Sequence, residues 1–338
     1  MKMPVAAFEH THASHCESGV MASLLRHHGL PISEAMAFGL SSALAFAYLP
    51  CIRINGQPLV AYRMPPRAII HGMRRRLGIG MRFETFRSPP AGMARLDQLL
   101  DSGQVVGLQT SVFWLPYFPP DLRFHFNAHN LLVYGREGDE YLISDPVGET
   151  VVRCARKDLE KARFAKGALA PKGLLYYLTT KPAVPDWARL GRSALARTAH
   201  IMLHTPLPII GVRGIALLAR RIERLSIADG GNRARMYIGN IVRMQEEIGT
   251  GGGGFRFLYA SFLQELAART AYAPLEPLAA RLVEIGDHWR EFALAAARMI
   301  KARDALAPPR LAERLRAIAA EERRFFQDLN RTQRAWAA

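Results

Sequence analysis

Cysteine is scarce in this sequence: Cys16, Cys51 and Cys154 are its three cysteines among 338 residues. Three scattered cysteines cannot build a disulfide framework, so a reducing compartment is expected. An unbroken apolar run is missing as well, because the most apolar window, residues 201–218, contains a histidine, two prolines and an arginine. The N-terminus carries one lysine and a short apolar patch, which is not typical of a signal peptide. We therefore expect a cytoplasmic protein without a transmembrane segment.

Acidic residues are outnumbered in the chain. The 29 aspartates and glutamates face 45 lysines and arginines, which leaves a net charge of +16. An excess of this size favours an acidic partner. An acidic carrier protein and an anionic membrane surface match the charge equally well, and a surface that simply prefers arginine to lysine is the alternative. Nucleic acid is not the expected partner, because the basic residues are spread along helical segments without a recognition motif. A hydrophobic share of 49% and a charged share of 22% are typical of a folded globular chain.

The pattern of apolar residues changes at the proline-bracketed segment 181–185. Residues 1–181 show short alternating stretches and turns, including a hairpin signal at Asn55–Gly56, and predict an α+β domain with an antiparallel sheet. Residues 182–338 contain six segments with helical periodicity and predict an all-helical domain. The length of the chain allows each domain a core of its own.

The most informative stretch runs from Glu9 to Leu25, where a histidine-rich loop ends at Cys16 and a helical pattern begins. The positive end of a helix dipole favours a thiolate over a thiol. A nucleophilic cysteine also needs a base that is held by a carboxylate or an amide. His129 begins a predicted strand and Asp145 ends the next one, so antiparallel pairing would place them side by side. The sequence therefore predicts a triad of Cys16, His129 and Asp145.

This order of residues resembles the papain-like fold, and its C39-type branch in particular. In that fold a side-chain donor about six residues before the cysteine shares the oxyanion hole with the cysteine's own amide. His10 stands at that offset here, where papain-like peptidases carry glutamine, and His12 and His15 are rivals. The same histidines together with Cys16 are an alternative zinc site, which ranks behind the triad because no second Cys/His pair is evident.

Further motifs support a more specific resemblance. The segments His15–Cys16, Gly29–Leu40 and Phe46–Tyr48 resemble the N-terminal domain of the butirosin biosynthesis protein H family. The loop Gly249–Gly254 with Phe255, Arg256 and Tyr259, followed later by Trp289–Arg290, resembles the helical domain of unknown function that follows it in that family. The resemblance covers nearly the whole chain.

The resemblance implies an acyltransferase that takes an acyl group from an acyl carrier protein thioester, forms an acyl-cysteine at Cys16 and passes it to an amine or hydroxyl acceptor. An acidic carrier protein would also match the charge of the chain. No tightly bound cofactor or metal is implied, since phosphopantetheine arrives on the carrier. The helical domain is expected to shape the substrate pocket, and a homodimer is compatible with the sequence.

Other groups have candidate roles toward these substrates. Glu34 is a candidate for the ammonium group of the acceptor, with a helix-dipole carboxylate as the alternative. The glycine-rich loop, through Gly251, Gly252, Gly253, Phe255 and Arg256, is a candidate phosphate site for phosphopantetheine, with a flexible linker as the alternative. Two groups of arginines are candidate carrier-docking patches, with solvated helix faces as the alternative: Arg74–Arg76, and Arg220, Arg221 and Arg224.

Two other functions fit the same residues. A cysteine peptidase or amidase would use the same triad, and a binding protein would keep the papain-like half as a non-catalytic scaffold. A transferase has to keep water from its acyl-enzyme, and the aromatic, proline-rich loop of residues 113–127 is a candidate wall over the site.

Overall fold

A computed structural model describes residues 8–54, 56–228, 230–247 and 249–336. Asn55, half of the predicted hairpin turn, lies outside the described residues. The helices are α1 Cys16–His27, α2 Glu34–Leu40, α3 Ala68–Leu77, α4 Pro89–Asp101, α5 Arg156–Arg163, α6 Trp187–His204, α7 Gly211–Glu223, α8 Asn232–Glu246, α9 Arg256–Thr270, α10 Glu276–Ile300 and α11 Pro308–Ala335. The strands are β1 Leu44–Ile54, β2 Gln57–Arg63, β3 Met81–Glu84, β4 Val106–Thr110, β5 His129–Glu137, β6 Glu140–Ser144, β7 Val152–Ala155 and β8 Leu175–Leu178.

The chain divides into two compact units. The first takes in the described residues up to Ala37 together with Ile69–Pro185, and the second takes in Phe38–Ala68 together with the chain from Asp186 onward. We call them the sheet unit and the helical unit. The predicted α+β class, with an antiparallel sheet followed by a helical C-terminal part, is confirmed.

The sheet unit is built on six antiparallel strands in the order β3-β8-β4-β5-β6-β7. Residues from α4, α5 and the central strands form one buried apolar cluster, to which Leu96, Leu108, Leu131 and Leu159 belong. In the register of β5 and β6, Leu132 pairs with Ser144. The first residues of β5 and the last residues of β6 therefore lie side by side at the open end of their hairpin, as antiparallel pairing requires.

The hairpin β1–β2 belongs to the helical unit and is longer than predicted. The sequence indicates a strand from Ile52, whereas β1 begins at Leu44 and carries two register irregularities. Its early residues, Leu44–Phe46, are buried. A strand that is buried on both faces has no apolar–polar alternation, so periodicity alone does not distinguish it from a helix.

The helical unit contains a buried ion pair between α9 and α11. Arg256 makes two parallel hydrogen bonds to the Glu322 carboxylate, at 2.8 and 3.0 Å, and both side chains are fully buried. The indole nitrogen of Trp289, on α10, donates to the same carboxylate at 2.7 Å. The Arg256 guanidinium also lies 5.1 Å from the centre of the Trp289 ring. This cluster ties three helices to one another through a pair of charges.

Substitution of Arg256 by methionine is expected to lower the free energy of unfolding of the helical unit by about 3–5 kcal/mol, because Glu322 would keep a buried charge without its cation. Chemical denaturation followed by circular dichroism measures the loss. Arg298→Met is the matched control, because Arg298 pairs with Asp304 at the surface, and we expect it to cost far less. Equal losses in the two variants would contradict a special role for the buried pair.

Candidate active site

Cys16 is the first residue of α1, as the sequence predicts. His15 caps the helix with extended backbone angles (φ −133°, ψ 127°), and its Nδ1 accepts a hydrogen bond from the Ser18 amide at 3.3 Å. Cys16 is 7% exposed. Its sulfur lies at the positive end of a 12-residue helix, in the position that favours a thiolate.

The loop before Cys16 is held against the turn that follows β6. The Ala13 amide donates to the Pro146 carbonyl at 2.7 Å. A Cβ on Gly19 would lie only 2.6 Å from the Cβ atoms of both Ala13 and Pro146. The absence of a side chain at Gly19 therefore allows the first turn of α1 to approach the turn that contains Asp145.

His129 and Asp145 form a buried pair at the point where β5 begins and β6 ends. The distance from His129 Nε2 to Asp145 Oδ2 is 2.7 Å, and the two side chains are 5% and 2% exposed. The Cys16 side chain lies close enough to His129 to raise the pKa of the imidazole. Since Nε2 faces the aspartate, Nδ1 is the nitrogen left for the sulfur. The structure thus brings together all three residues of the predicted triad.

The electrostatics favour a charged histidine. Burial opposes the charge of His129, but the Asp145 carboxylate and the Cys16 side chain outweigh burial and raise the pKa of His129 to about 10. The imidazole is therefore protonated at neutral pH. A protonated imidazole beside a cysteine favours the thiolate, which is the nucleophilic form.

Two aromatic residues of the 113–127 loop complete the site. The Tyr117 hydroxyl donates to Asp145 Oδ2 at 2.8 Å, the same oxygen that faces His129. Burial, and then the nearby carboxylate, raise the pKa of Tyr117 well above its ordinary value, so the hydroxyl keeps its proton. The ring of Phe118 meets the His129 ring edge-to-face at 5.6 Å. The sequence indicates this loop as a wall, but nothing in its composition singles out Tyr117 as the partner of Asp145.

The comparisons with known proteins match the N-terminal and the C-terminal part of the chain to two different family models. Residues 15–146 match the family model described as butirosin biosynthesis protein H, N-terminal, and residues 157–329 match that of a domain of unknown function, DUF4872. The first match contains Cys16, His129 and Asp145. The chain belongs to this two-domain family.

A solved structure, that of a putative C39-like peptidase from Bacillus anthracis, is similar to this chain with a TM-score of 0.39 and 13% sequence identity. The similarity covers 54% of this chain and all of the peptidase chain. No curated protein matches the chain. Within the chain itself, Cys16 at a helix N-terminus and the buried His129–Asp145 pair have the arrangement of a cysteine nucleophile, its base and the carboxylate that holds the base.

The three histidines of the N-terminal loop have different surroundings. His10 faces Ser144 Oγ through Nδ1 at 2.8 Å and the Gly148 carbonyl through Nε2 at 3.0 Å. A carbonyl only accepts, so Nε2 carries the proton, and both ring nitrogens of His10 are engaged. His15 accepts at Nδ1 and therefore carries its proton on Nε2 when neutral. His12 is exposed. The oxyanion-hole donor stays a prediction, with His10 at the expected offset and His12 and His15 as its rivals.

Glu34, the predicted contact for an acceptor ammonium, supports the nucleophile loop. Its carboxylate accepts hydrogen bonds from the backbone amides of Ser14 and His15, at 2.9 and 3.2 Å. Burial raises the pKa of Glu34, and these backbone hydrogen bonds oppose the rise. Glu34 therefore holds the two residues before Cys16 in place. Its predicted role toward an acceptor remains a prediction.

The glycine-rich loop has a carboxylate where the sequence suggests a phosphate. The Gly253 amide donates to Glu246, and the Gly252 amide donates to Thr250 Oγ1 at 3.1 Å. Phe255 is buried, and Arg256 is engaged by Glu322. The Gly253 amide is thus engaged by the protein's own Glu246, and the role of this loop toward phosphopantetheine stays a prediction. Gly251, the remaining member of the predicted set, has a positive φ of 65°.

The remaining cysteines have no comparable partners. Burial raises the pKa of the Cys154 thiol to about 12, so that thiol stays protonated at neutral pH, and Cys51 is exposed on β1. Within the described residues, His, Cys, Asp and Glu side chains do not gather into a group of three or more that would hold a metal ion. No described helix is both long enough and apolar enough to cross a bilayer.

Substitution of Asp145 by asparagine is expected to change the pH dependence of Cys16 reactivity. Without the carboxylate, the dominant influence on His129 is burial, which lowers its pKa and removes the imidazolium at neutral pH. We expect the acid limb of alkylation to move to higher pH by about 1–3 units. The rate of iodoacetamide labelling of Cys16, followed by mass spectrometry across a range of pH, measures this shift. The experiment uses a Cys51→Ser background, because Cys51 is exposed and would be labelled as well.

Asp101→Asn is the matched control for this experiment, because Asp101 pairs with Arg136 at the surface of the same unit. It is expected to leave the labelling profile of Cys16 in place. An acid limb that is unchanged in Asp145→Asn would show that Asp145 does not hold the imidazolium.

Tyr117 is expected to act as a positioning residue. Tyr117→Phe deprives the buried Asp145 carboxylate of one hydrogen bond, a loss that we expect to slow alkylation of Cys16 at neutral pH by about tenfold. Tyr177→Phe is the control, since its hydroxyl bonds Glu84 and Arg95 on β3 and α4 instead. Equal rates for Tyr117→Phe and wild type, with folding intact in both, would refute the assignment.

Proposed function

We propose that this protein is a cysteine-dependent acyltransferase. It takes an acyl group from the phosphopantetheine thioester of an acyl carrier protein and transfers it to an amine or hydroxyl acceptor in lipid or natural-product biosynthesis. The observation that carries the proposal is the buried array of Cys16 at the first turn of α1 and the His129–Asp145 pair, whose Nε2 and Oδ2 atoms lie 2.7 Å apart.

The array suits a thioester in particular. A thioester is already activated, so a thiolate and a donor for the developing oxyanion are enough to cleave it, without ATP. A peptide bond demands more, because its amine leaving group has to be protonated. The family supports a biosynthetic role, and the net charge of +16 complements an acidic carrier.

The first half-reaction loads the enzyme. The Cys16 thiolate attacks the thioester carbonyl, and the carbonyl oxygen takes the negative charge of a tetrahedral intermediate. Collapse breaks the bond between carbon and the phosphopantetheine sulfur. The departing thiolate takes the proton of His129, which leaves acyl-Cys16, a free carrier thiol and a neutral imidazole.

The second half-reaction unloads it. The acceptor nitrogen or oxygen attacks the acyl-Cys16 carbonyl while neutral His129 removes the acceptor proton. The intermediate expels the Cys16 thiolate, and the product is an amide or ester. The imidazolium and thiolate are restored, with Asp145 holding the ring in the same orientation throughout.

The acyl-enzyme is the intermediate to detect. Intact-mass spectrometry after incubation with a panel of acyl-carrier proteins and acyl-pantetheine thioesters is expected to show a mass increase equal to one acyl group. Cys16→Ala is expected to abolish the adduct, because it removes the nucleophile. His129→Ala is expected to slow its formation by about 10²–10⁴-fold, the range for loss of a positioned acid or base.

The outcomes separate the candidate functions. An adduct on wild type that persists in aqueous buffer but disappears when an amine acceptor is added supports the transferase. An adduct that water removes quickly, or cleavage of peptide substrates, points to a hydrolase on the same triad. A Cys16 that neither forms an adduct nor reacts with iodoacetamide would overturn catalysis at this site and leave a binding scaffold.

A further inference from the structure

A concave, basic pocket lies in the helical unit, outside the residues already discussed. Its volume is about 530 Å³, and it is lined by the end of α6 and one face of α11. Its polar and charged lining residues are His204, Arg323, Gln327, Asn330, Arg331 and Arg334. Five of these lie on α11 at helical spacing, so their side chains share one face of that helix.

The lining contains cations and amides but no carboxylate. Arg331 pairs with Asp328, which also pairs with Arg281. Arg323 and Arg334 have no carboxylate partner among the residues that the structure describes, and both are exposed. Their guanidinium groups are therefore available to an anion from outside, and their fork geometry matches carboxylates.

The pocket rests on a rigid support. The opposite face of α11 is buried through Phe325, Phe326 and Leu329. Near the end of the helix, the Tyr272 ring stacks on Trp336 at 4.2 Å, and the Tyr272 hydroxyl donates to the Thr332 carbonyl at 3.1 Å. These contacts hold the backbone of α11, so the arginines stay on one face of the helix.

We infer that this pocket docks the acidic surface of the carrier protein, with the guanidinium groups of Arg323 and Arg334 pairing with its carboxylates. The inference rests on the proposed function, which supplies the carrier as partner. Neither arginine run that the sequence suggests for docking contributes to the lining. The arginines of this pocket are instead scattered in sequence and are brought together by the helix face.

The test measures docking apart from chemistry. Apo-acyl carrier protein, which lacks the phosphopantetheine arm, is titrated into the full-length protein at low and moderate salt by isothermal calorimetry. Charge reversal in Arg323→Glu/Arg334→Glu is expected to weaken binding by at least about tenfold. The control Arg303→Glu/Arg310→Glu makes the same charge change on exposed arginines of the helical unit that do not line the pocket and is expected to stay within about twofold of wild type.

A second measurement separates this inference from the proposed function. Loading of Cys16 by a free acyl-pantetheine thioester is expected to be unchanged in Arg323→Glu/Arg334→Glu, because no carrier protein has to dock. Loading by the acyl-carrier protein is expected to fall in step with its affinity. The milder pair Arg323→Gln/Arg334→Gln should give an intermediate effect, and a thermal unfolding curve for each variant checks the fold.

The inference is overturned if wild type does not bind the apo-carrier, if the pocket variant binds as wild type does, or if both charge-reversal pairs weaken binding equally. The last outcome would assign carrier binding to the overall charge. If the pocket variant and the control variant bind the carrier equally but free acyl-pantetheine thioesters still load Cys16, the docking inference fails and the proposed acyltransferase activity is retained. Failure of Cys16 loading by every thioester would refute the acyltransferase, whatever the calorimetry shows.

Discussion

The hydrogen-bonded pair of His129 and Asp145 is the interaction on which the rest of the site depends. A buried carboxylate is stable only if its oxygens are satisfied. Here His129, the Tyr117 hydroxyl and the Val147 amide all donate to Asp145. The pair then holds a proton on the imidazole beside Cys16. The close approach at Gly19 and the backbone bond from Ala13 to Pro146 are the means by which the sheet edge meets α1.

The same principle is used for stability in the helical unit. Arg256, Glu322 and Trp289 are buried and satisfy one another, and the Gly253 amide is satisfied by Glu246. In the sheet unit the buried ion pair faces a nucleophile, whereas in the helical unit it faces only neighbouring side chains. Burial of a charged pair is therefore not in itself a sign of chemistry. What distinguishes the two is the reactive group at the end of the pair.

The sequence allowed the triad to be predicted because its three residues sit at places with strong local signals. Cys16 starts a helical pattern, His129 starts an apolar strand, and Asp145 precedes a proline at the end of the next strand. The hydrogen-bond partners of Glu34, His10 and Gly253 could not be predicted from the sequence, because each contact forms only when the chain folds. Four glycines before Phe255 suggest an anion site, but the sequence does not show that the Gly253 amide bonds the protein's own Glu246. Tyr117 was hidden among several aromatic residues of one loop, and only the structure shows which of them faces Asp145.

On the proposed mechanism, the forces on His129 also account for its change of role between the two half-reactions. In the resting enzyme Asp145 and Cys16 both favour the imidazolium, and only burial opposes it. Acylation turns Cys16 into a neutral thioester, so its contribution disappears while burial remains. The pKa of His129 should therefore fall once the acyl group is attached, and the imidazole becomes a better base for the acceptor. When the product leaves, the thiolate returns and the proton is held again. A single histidine can thus serve as an acid for loading and a base for unloading, because the charge beside it changes with the reaction.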